Sequence, residues 1–550
     1  MDKNNALFYD KHSYLAEHAE RFTKRIEKVT EGVYSAIGYG LANSILLITD
    51  VGNIIVDTTE SIRAAQEIKG EFDKISPLST VAVIYTHGHT DHVCGASVFM
   101  DEGTEVYANA KTKDLFNQQF NQLDPILTVR GARQFGVKIP REYLPAMGLG
   151  PFLHVDGYNP QLVMPTQEFE DLLELRIGGL RLKLVSAPGE TDDQIFIWIP
   201  EKKVLLSADN YYPCFPNLYT IRGTTPRPVY KWVESLDKMR DLGAEYLVPS
   251  HAEPIYGSER IHELLTVYRD AIQYVHDSVV RGMNQGKTPD ELVEGIYLPP
   301  HLQTYKELRE LYGELSQSIR AIYDGYLGWF DGNATNLIPL SKAIRAQKIV
   351  DLAGGYQKML KEIRTALDNK EYQWTAEISD MLLTITPDND EVTSLKAEAL
   401  FKLGCASQNS NNRAYYLTQS LELKGEIHYR PRSVDKQLSY AKSMSVDQFF
   451  SNMAIRLNPD KSKNDVITAS VQITDNDAAY QIQVRRGVAE VRRGYIQYPD
   501  LWIETTGVVW KEVIIGAYDI REALHSGKVQ LVGEVDLLRY FVNLFKSDSE

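Results

Sequence analysis

The sequence predicts a multidomain protein in which a layered α/β domain is followed by an all-α domain and then by an α+β domain. The chain has 550 residues, well beyond the size at which one hydrophobic core stops growing. Short β-rich segments alternate with amphipathic segments from about residue 30 to 260, whereas apolar residues recur at three- and four-residue spacing from 258 to 425. Strand-like segments return near residue 435. We therefore expect domains at 1–265, 266–430 and 431–550.

The first domain is predicted from strand segments that end in turn-forming residues. The segment SILLITD-VGN-IIVDT indicates a β-hairpin around a glycine-containing loop. An amphipathic helix is expected at SIRAAQEIKGEFDKI. Further strands are expected at VAVIYT, LRLKLVSAPG, IFIWIP, KVLLSADN and YLVPSH. Strands interleaved with helices in this way favour a layered α/β arrangement.

The last domain is predicted from patterns that begin near residue 435. The segment SVDQFFSNMAIRLNP indicates a helix. Alternating strands are expected at VITASVQIT, AAYQIQVRRGVAEVRRG and DLWIETTGVVWKEVIIG. The final segment, REALHSGKVQLVGEVDLLRYFVNLF, has a helical pattern around a glycine-containing turn. A unit of this size lies within the usual domain range.

Composition restricts the partners and the compartment. The formal net charge is -15 and the sequence pI is about 5.4, which argues against broad binding of nucleic-acid phosphates but allows one local cationic pocket for a small anion. No apolar run approaches the length of a membrane span, and the first residues lack the apolar region of a signal peptide. Cys94, Cys214 and Cys405 are widely separated, so we expect a reducing, cytoplasmic location.

A cluster of histidines follows the predicted strand VAVIYT. The segment YTHGHTDHVCGA contains His87, His89, Asp91 and His92, and ligands gather outside the carboxyl ends of strands in open α/β sheets. Neutral imidazoles and a carboxylate are suitable ligands for zinc or a similar divalent metal, and coordination compensates for their desolvation. The alternative is a polar surface loop, although three of only 12 histidines in six positions are improbable by chance.

This H-x-H-x-D-H pattern after a strand resembles the signature of the metallo-β-lactamase superfamily. The resemblance implies an αβ/βα sandwich with two metal ions at one edge. It also implies further ligands after later strands, in APGETDDQ, LLSADN and YLVPSH. By resemblance, one metal is held by His87, His89 and Glu190, the other is held by Asp91, His92 and His251, and Asp209 lies between them.

The residues leave alternatives for these later ligands. Glu190 stands beside Asp192 and Asp193, and any of the three carboxylates could be the ligand. Asp209 could instead cap a turn or a helix. The choice among the three carboxylates depends on which of them the fold brings to His89.

Within the superfamily, the chain resembles the alkylsulfatases. The alkylsulfatases carry acidic residues at the positions of Glu190 and Asp209. The segment NLYTIRGT at 217–224 resembles their segment with a sulfate-binding arginine. YGELSQSIRAIYDGYLGWFDGNA at 312–334 resembles their helical dimerisation domain, and 435–550 resembles their C-terminal sterol-carrier-protein-like (SCP2-like) domain. The chain differs in having Asp209 where these enzymes tend to have glutamate, which points to a divergent branch.

The resemblance implies a zinc-dependent hydrolase that converts an alkyl sulfate ester into an alcohol and inorganic sulfate. Two Zn²⁺ ions per chain would share a hydroxide, and Asp91 would act as a ligand and as part of the catalytic set. Arg222 would hold the sulfate, the alternative being a surface salt bridge. From their positions in the sequence, Arg260 could be a second sulfate contact or a solvated helix residue, and Tyr219 could donate a proton to the leaving alcohol or pack in a wall of side chains. The residues leave open whether the S–O or the C–O bond breaks, and the length and branching of the alkyl chain.

The resemblance also implies a homodimer. The helical domain would either bury Trp329 and Phe330 or use them in a subunit contact, and part of the C-terminal apolar interior would accept an alkyl tail. Two alternatives to the alkylsulfatase function are considered. One is hydrolysis of another ester, such as a thioester or a phosphodiester. The other is a lipid-binding protein whose lactamase-like domain is degenerate, although the intact ligand motif argues against it.

Overall fold

The structure is a computed structural model that describes residue 10 and residues 12–153, 162–429 and 433–546. It contains two compact units. The first comprises the described residues within 1–112, 127–160 and 165–429, and the second those within 113–126, 161–164 and 430–550. The first unit holds both the α/β and the helical regions, so the boundaries expected after residues 265 and 430 stay predictions.

Two sheets form the α/β part of the first unit. One has seven strands in sequence order: β1 (Arg25–Thr30), β2 (Val33–Ile37), β3 (Ser44–Thr49), β4 (Gly52–Val56), β5 (Thr80–Ile84), β6 (Glu105–Asn109) and β7 (Gln167–Phe169). The other has six strands: β8 (Leu172–Ile177), β9 (Leu180–Ser186), β10 (Ile195–Ile199), β11 (Val204–Ala208), β12 (Tyr246–Pro249) and β13 (Ile255–Tyr256), in the order β13-β12-β11-β10-β9-β8. Apolar residues of both sheets share one core, which confirms the predicted sandwich.

The strand pairing explains where functional side chains gather. β3 and β4 form the predicted hairpin, with Thr49 opposite Gly52, so the loop has two residues. β5 pairs in parallel with both β4 and β6, and β11 pairs in parallel with β12. The carboxyl ends of these neighbouring parallel strands therefore meet at one edge of each sheet.

Helices precede, connect and follow these strands along the chain. They are α1 (Tyr14–Ala19), α2 (Ile62–Ile75), α3 (Thr90–Val93), α4 (Thr112–Asn117), α5 (Asp124–Gln134), α6 (Val229–Arg240), α7 (Ser258–Asn284), α8 (Pro289–Gly295), α9 (Pro300–Gln303), α10 (Leu315–Leu327), α11 (Lys342–Leu352), α12 (Tyr356–Asp368), α13 (Tyr372–Ile385), α14 (Asp390–Ala406) and α15 (Ser410–Leu423). The predicted α2 starts after Ser61, whose side chain accepts from the Ala64 amide, and it buries an apolar face that includes Ile68 and Phe72. The predicted helical region is confirmed by α7–α15. None of the helices in the described ranges is both long and apolar enough to cross a bilayer.

The second unit is an α+β fold, as predicted. Its sheet has the order β16-β15-β14-β17-β18. The strands are β14 (Val466–Ile473), β15 (Ala478–Arg485), β16 (Val488–Arg493), β17 (Leu501–Thr505) and β18 (Val529–Val532), and the helices are α16 (Val434–Ser443), α17 (Val446–Ser451), α18 (Met453–Arg456), α19 (Pro459–Ser462), α20 (Gly507–Ile515), α21 (Ile520–His525) and α22 (Val535–Asn543). Phe450 stacks on Tyr480 at a centroid distance of 3.8 Å, within a buried apolar core. The alkyl-binding role of this interior stays a prediction.

Two predictions in this unit are wrong. GVVWKEVII was expected to continue a strand but forms α20, because the Thr506 side chain accepts from the Val509 amide and starts a helix. The last segment was expected to be helical around a glycine-containing turn. The helices α21 and α22 form, but the residues between them form the strand β18, which pairs with β17 at the sheet edge. In both cases tertiary pairing or a cap overrides the local pattern.

Candidate metal centre

The histidine motif begins where the central strand β5 leaves its sheet. His87 and His89 lie in the turn that connects β5 to α3, and Nε2 of His87 is 2.9 Å from Nδ1 of His89. Asp91 and His92 lie in α3, where Nε2 of His92 is 3.5 Å from an Asp91 carboxylate oxygen. A turn and one short helix therefore bring all four side chains to one region.

The three later candidates reach the same region from β9, β11 and β12. Oδ2 of Asp209 lies 3.2 Å from Nε2 of His251 and 3.8 Å from Nε2 of His87. Glu190 follows β9, and its Oε1 lies 3.9 Å from Nδ1 of His89. The two sheets thus supply donors from opposite sides, as expected for the edge of the sandwich.

The donor atoms form three overlapping groups, and the atoms of each group lie within 4.8 Å of one another. The groups are His87, His92 and Asp209; Asp91, His92 and His251; and His89, Glu190 and Asp209. All donors are imidazole nitrogens or carboxylate oxygens, which zinc and similar divalent cations prefer. Together with the fold, these groups indicate a metal site.

Unpartnered polar atoms support the fit of a cation. His92 Nε2, Glu190 Oε2 and Asp209 Oδ1 are buried and have no hydrogen-bond partner among the described residues. Leaving such a group unsatisfied costs about 1–3 kcal/mol, and more when the group is charged. A cation would coordinate these atoms and compensate for their burial.

The pKa shifts of His87 and Asp91 suit a cation. Burial, together with His92, lowers the pKa of His87 well below its usual range, so that imidazole is neutral. Burial alone would raise the pKa of the Asp91 carboxyl, but His92 lowers it to about 2. Neutral imidazole and ionised carboxylate are the forms that bind metal ions. Burial would lower the pKa of His92 and His251, but the Asp209 carboxylate raises both, so a cation would have to displace a proton there.

Asp57, which the sequence analysis missed, contacts the ring nitrogen of His92 that does not face the other candidate ligands. Its Oδ2 lies 2.7 Å from Nδ1 of His92 and accepts from the hydroxyls of Thr86 at 2.8 Å and Ser250 at 3.0 Å. Asp57 follows β4 and has a φ of 58°. A carboxylate on the second ring nitrogen fixes the orientation of a ligating histidine, so Asp57 holds His92 with Nε2 toward the other ligands.

We expect Asp57→Asn to weaken metal binding by about 10- to 100-fold, because it removes the charge behind His92. Asparagine tolerates the positive φ, so the backbone should be retained. Competition with a chromophoric chelator would measure the affinity. Asp50→Asn, in the exposed β3–β4 turn, is the matched control, and equal affinities of the two variants would contradict the role of Asp57.

The structure separates the three acidic residues after β9. Asp192 is exposed, whereas Asp193 accepts from the Gly88 amide and the Thr112 hydroxyl, both at 2.8 Å. Asp193 therefore braces the histidine turn, and Glu190 is the one that faces His89. Glu190 also forms a buried ion pair with Arg227 at 2.9 Å, a residue that the sequence analysis did not select.

Arg222 reaches the same cluster. Its Nη2 lies 3.0 Å from Nε2 of His89, and its Nη1 donates to the Thr220 hydroxyl at 2.8 Å. Gln134 of α5 accepts from both the Arg222 amide at 2.8 Å and the Thr220 hydroxyl at 2.9 Å. The segment is therefore fixed by α5, with the guanidinium beside the candidate ligands.

The other predicted contacts lie in different surroundings. Tyr219 is partly buried in the Arg222 segment. Arg260, at the start of α7, pairs with Glu263 and Glu307, both at 2.9 Å, so the two ends of its fork contact carboxylates. Their roles stay predictions. Tyr312, which the sequence analysis did not select, is buried. Burial and then the Glu190 carboxylate raise the pKa of its phenol, whereas Arg222 opposes this shift.

The fold and the donor set define a member of the metallo-β-lactamase class, and comparison with known proteins agrees. Residues 37–251 match the metallo-β-lactamase superfamily, 288–426 match alkyl sulfatase dimerisation and 436–550 match alkyl sulfatase C-terminal. A linear primary-alkylsulfatase of Pseudomonas sp. is 36% identical over 512 residues, covering 90% of this chain and 97% of the relative. An (R)-specific secondary-alkylsulfatase of Pseudomonas sp. is 29% identical, covering 95% and 81%.

A solved structure extends this similarity to the whole fold. The stereoselective inverting sec-alkylsulfatase Pisa1 from Pseudomonas sp. superposes with a TM-score of 0.91 at 27% identity, covering 98% of this chain and 87% of that one. The chain belongs to the alkylsulfatase family. The family and the fold support hydrolysis of sulfate esters, and the predicted domain order is confirmed.

Proposed function

We propose that this protein hydrolyses alkyl sulfate esters to an alcohol and inorganic sulfate with the aid of two zinc ions. The observation that carries the proposal is the set of three overlapping donor groups, with the Arg222 guanidinium 3.0 Å from one of their members, His89. The similarity to proteins named as linear primary and secondary alkylsulfatases supports the choice of ester. The three cysteines form no disulfide among the described residues, which supports a cytoplasmic location as part of the proposal.

The chain's own residues divide between two cation positions. His87, His89 and Glu190 would hold one ion, and Asp91, His92 and His251 would hold the other. Asp209 Oδ2 lies 3.8 Å from Nε2 of His87 and 3.2 Å from Nε2 of His251, within reach of both sets. When bound, the ions would supply a hydroxide nucleophile at neutral pH by lowering the pKa of water. Asp57 and Asp193 keep the histidine turn and His92 in register for this arrangement.

Arg222 is suited to orient the sulfate. Its planar fork matches two ester oxygens, a geometry that lysine cannot reproduce. In the structure the fork contacts Nε2 of His89. With Nδ1 as the ligand atom of His89, Nε2 would carry the proton and would not accept from Arg222. The guanidinium would then be available for the anion.

Two tyrosines are candidates to contact the ester. Burial and then the Glu190 carboxylate raise the pKa of Tyr312 far above its usual range, so its hydroxyl remains a donor at neutral pH. Tyr219 lies three residues before Arg222 and is the predicted proton donor to the leaving alcohol. A positioned donor beside the guanidinium would stabilise the charge that develops during cleavage.

Sulfate release together with metal content tests the function. Purified protein loaded with zinc would be incubated with dodecyl sulfate, p-nitrophenyl sulfate and a phosphodiester, and inorganic sulfate or phosphate would be measured. We expect the alkyl sulfate to be preferred and the activity to disappear with chelation and return with zinc. Preference for the phosphodiester would favour another ester hydrolase. Absence of bound metal would favour the lipid-binding alternative.

An exposed apolar segment at 326–352 is the surface that we propose for the homodimer. Trp329, Ile338 and Leu352 are 73%, 93% and 90% exposed, although single soluble chains rarely expose a large apolar patch. The segment lies within the region that matches alkyl sulfatase dimerisation. Trp329 is not buried within its own chain, so of the two predicted roles the subunit contact is the one that fits.

We expect the double variant Ile338→Asp with Leu352→Asp to weaken the dimer by at least about 10-fold, because each change places a charge in an apolar contact. Analytical ultracentrifugation over a range of concentrations would measure the dissociation constant. Val51→Asp, an exposed valine in the β3–β4 turn, is the control. An unchanged dimer in the double variant would show that another surface is used.

A further inference from the structure

A short segment of the helical region binds four consecutive backbone carbonyls. The asparagine clamp, residues 409–411, lies at the start of α15. The Asn409 side-chain amide shares its two N–H donors among the carbonyls of Glu310 at 3.1 Å, Tyr312 at 3.0 Å and Gly313 at 3.1 Å. The Ser410 amide donates to Leu311 at 2.9 Å, and the Asn411 side chain donates to Tyr312 at 2.9 Å. The clamp thus supplies hydrogen-bond donors to the backbone carbonyls of residues 310–313.

The opposite side of residues 310–313 is also fixed. The Phe215 amide donates to the Arg309 carbonyl at 2.9 Å, and the Gly313 amide donates to the Phe215 carbonyl at 3.2 Å. A Cβ atom at Gly313 would lie 2.3 Å from the Pro216 carbonyl oxygen, so the two segments touch through their backbones. Phe215 and Pro216 lead directly into the segment that carries Arg222. The loop is therefore held between the clamp and the Arg222 segment.

Tyr312 is the side chain that this loop directs toward the candidate site. Its ring packs edge-on against Tyr212 at 6.0 Å, and Tyr212 packs edge-on against His251 at 6.3 Å. Asn409 and Asn411 are only 6% and 2% exposed, so their side-chain amides have no access to water as an alternative partner. The position of the Tyr312 ring depends on the backbone that the clamp holds.

We propose that Asn409 and Asn411 are positioning residues that hold Tyr312 against the sulfate ester, so that the helical region completes the active site. The inference rests on the proposed function. Loss of the clamp would let the loop carbonyls move, and displacement of a substrate contact by about 1 Å can cost about 100-fold in rate. A merely structural role would lower stability without depending on the Tyr312 hydroxyl.

The chain offers closely matched variants. The Asn409 side-chain oxygen also caps α15 by accepting from the Asn412 amide at 3.0 Å. Asn409→Asp keeps this acceptor, removes the donors to the loop and places a carboxylate oxygen against the loop carbonyls. Asn389 caps α14 in the same way, through the Val392 amide at 3.0 Å, so Asn389→Asp is the control. Asn411→Ser is a milder second variant that removes one donor.

The experiment is a double-mutant cycle with Tyr312→Phe, using zinc-loaded full-length protein and dodecyl sulfate. We expect Asn409→Asp and Asn411→Ser to lower kcat/KM by about 10- to 100-fold, mostly through kcat. In the Tyr312→Phe background the same changes should alter kcat/KM by less than about twofold, because their effect acts through that hydroxyl. Asn389→Asp should leave the kinetics unchanged in both backgrounds.

The possible outcomes are distinguishable. Equal losses in both backgrounds, or no loss in either, would overturn the positioning role while leaving the sulfatase function intact. A wild-type protein that binds zinc but releases no sulfate would overturn the proposed function, and the inference with it. If Asn409→Asp lowers the melting temperature more than Asn389→Asp does, Asn411→Ser decides the result.

Discussion

Replacing Asp209 by asparagine is expected to remove one bound zinc and to lower the rate of sulfate release by a factor on the order of 10³. Asp209 belongs to two of the three donor groups, and its Oδ2 lies 3.5 Å from His92 and 3.2 Å from His251. Burial would raise the pKa of its carboxyl, but His251 and His92 hold that pKa well below its usual range. The Asp209 side chain is thus an anion, and it contributes a donor atom to the group with His87 and His92 and to the group with His89 and Glu190.

Metal analysis per chain, with sulfate release from dodecyl sulfate, would measure both effects. Asp192→Asn is the matched control, because it removes an exposed carboxylate next to the same site. It should retain full metal content and activity. A variant of Asp209 with unchanged metal content and rate would contradict the assignment, and a loss in Asp192→Asn alone would move it to that residue.

Much of the candidate site could be predicted because its candidate ligands follow strand ends. One short segment contains His87, His89, Asp91 and His92, so the cluster can be recognised in the sequence without knowledge of the fold. Asp209 and His251 each follow a strand that turns out to be parallel to its neighbour, so they meet at one edge. Local patterns also predicted the layered α/β domain and the β3–β4 hairpin, whereas the sandwich was predicted from the resemblance to the metallo-β-lactamase superfamily.

The supporting residues could not be predicted because their partners are distant in the sequence. Asp57 also follows a strand, but its contact with His92 spans 35 residues and leaves no local pattern. Arg227 pairs with Glu190 across the site, and the clamp at 409–411 meets residues about a hundred positions earlier. Only the folded chain shows which polar side chains replace water for a buried neighbour.

The errors in the C-terminal unit have a different cause. The residues of α20 are mostly β-branched or aromatic, so their propensity favours a strand, whereas the Thr506 cap and burial of Trp510 favour a helix. β18 is short and gains its hydrogen bonds from β17, so its own pattern is weak. Propensity therefore failed where pairing or capping supplied the larger free energy.

Changing Arg222 is expected to affect the ester rather than the metal. Arg222→Lys should lower kcat/KM by about 100-fold, and Arg222→Ala by up to about 1,000-fold, because loss of a single positioned donor in an active site has effects of this size. Lysine keeps the charge but replaces a fork with a point donor, so its defect reports geometry. Bound zinc should stay the same in both variants.

The size of the Lys defect separates geometry from charge. If charge alone attracts the ester, lysine should restore most of the activity lost with alanine, and KM should rise with ionic strength. If the fork orients the sulfate, the lysine variant should remain close to alanine in kcat. Arg240→Lys, a surface arginine paired with Asp237, is the control. Loss of zinc from Arg222→Ala would instead assign this residue to the His89 side of the metal site, because its Nη2 contacts that imidazole in the structure.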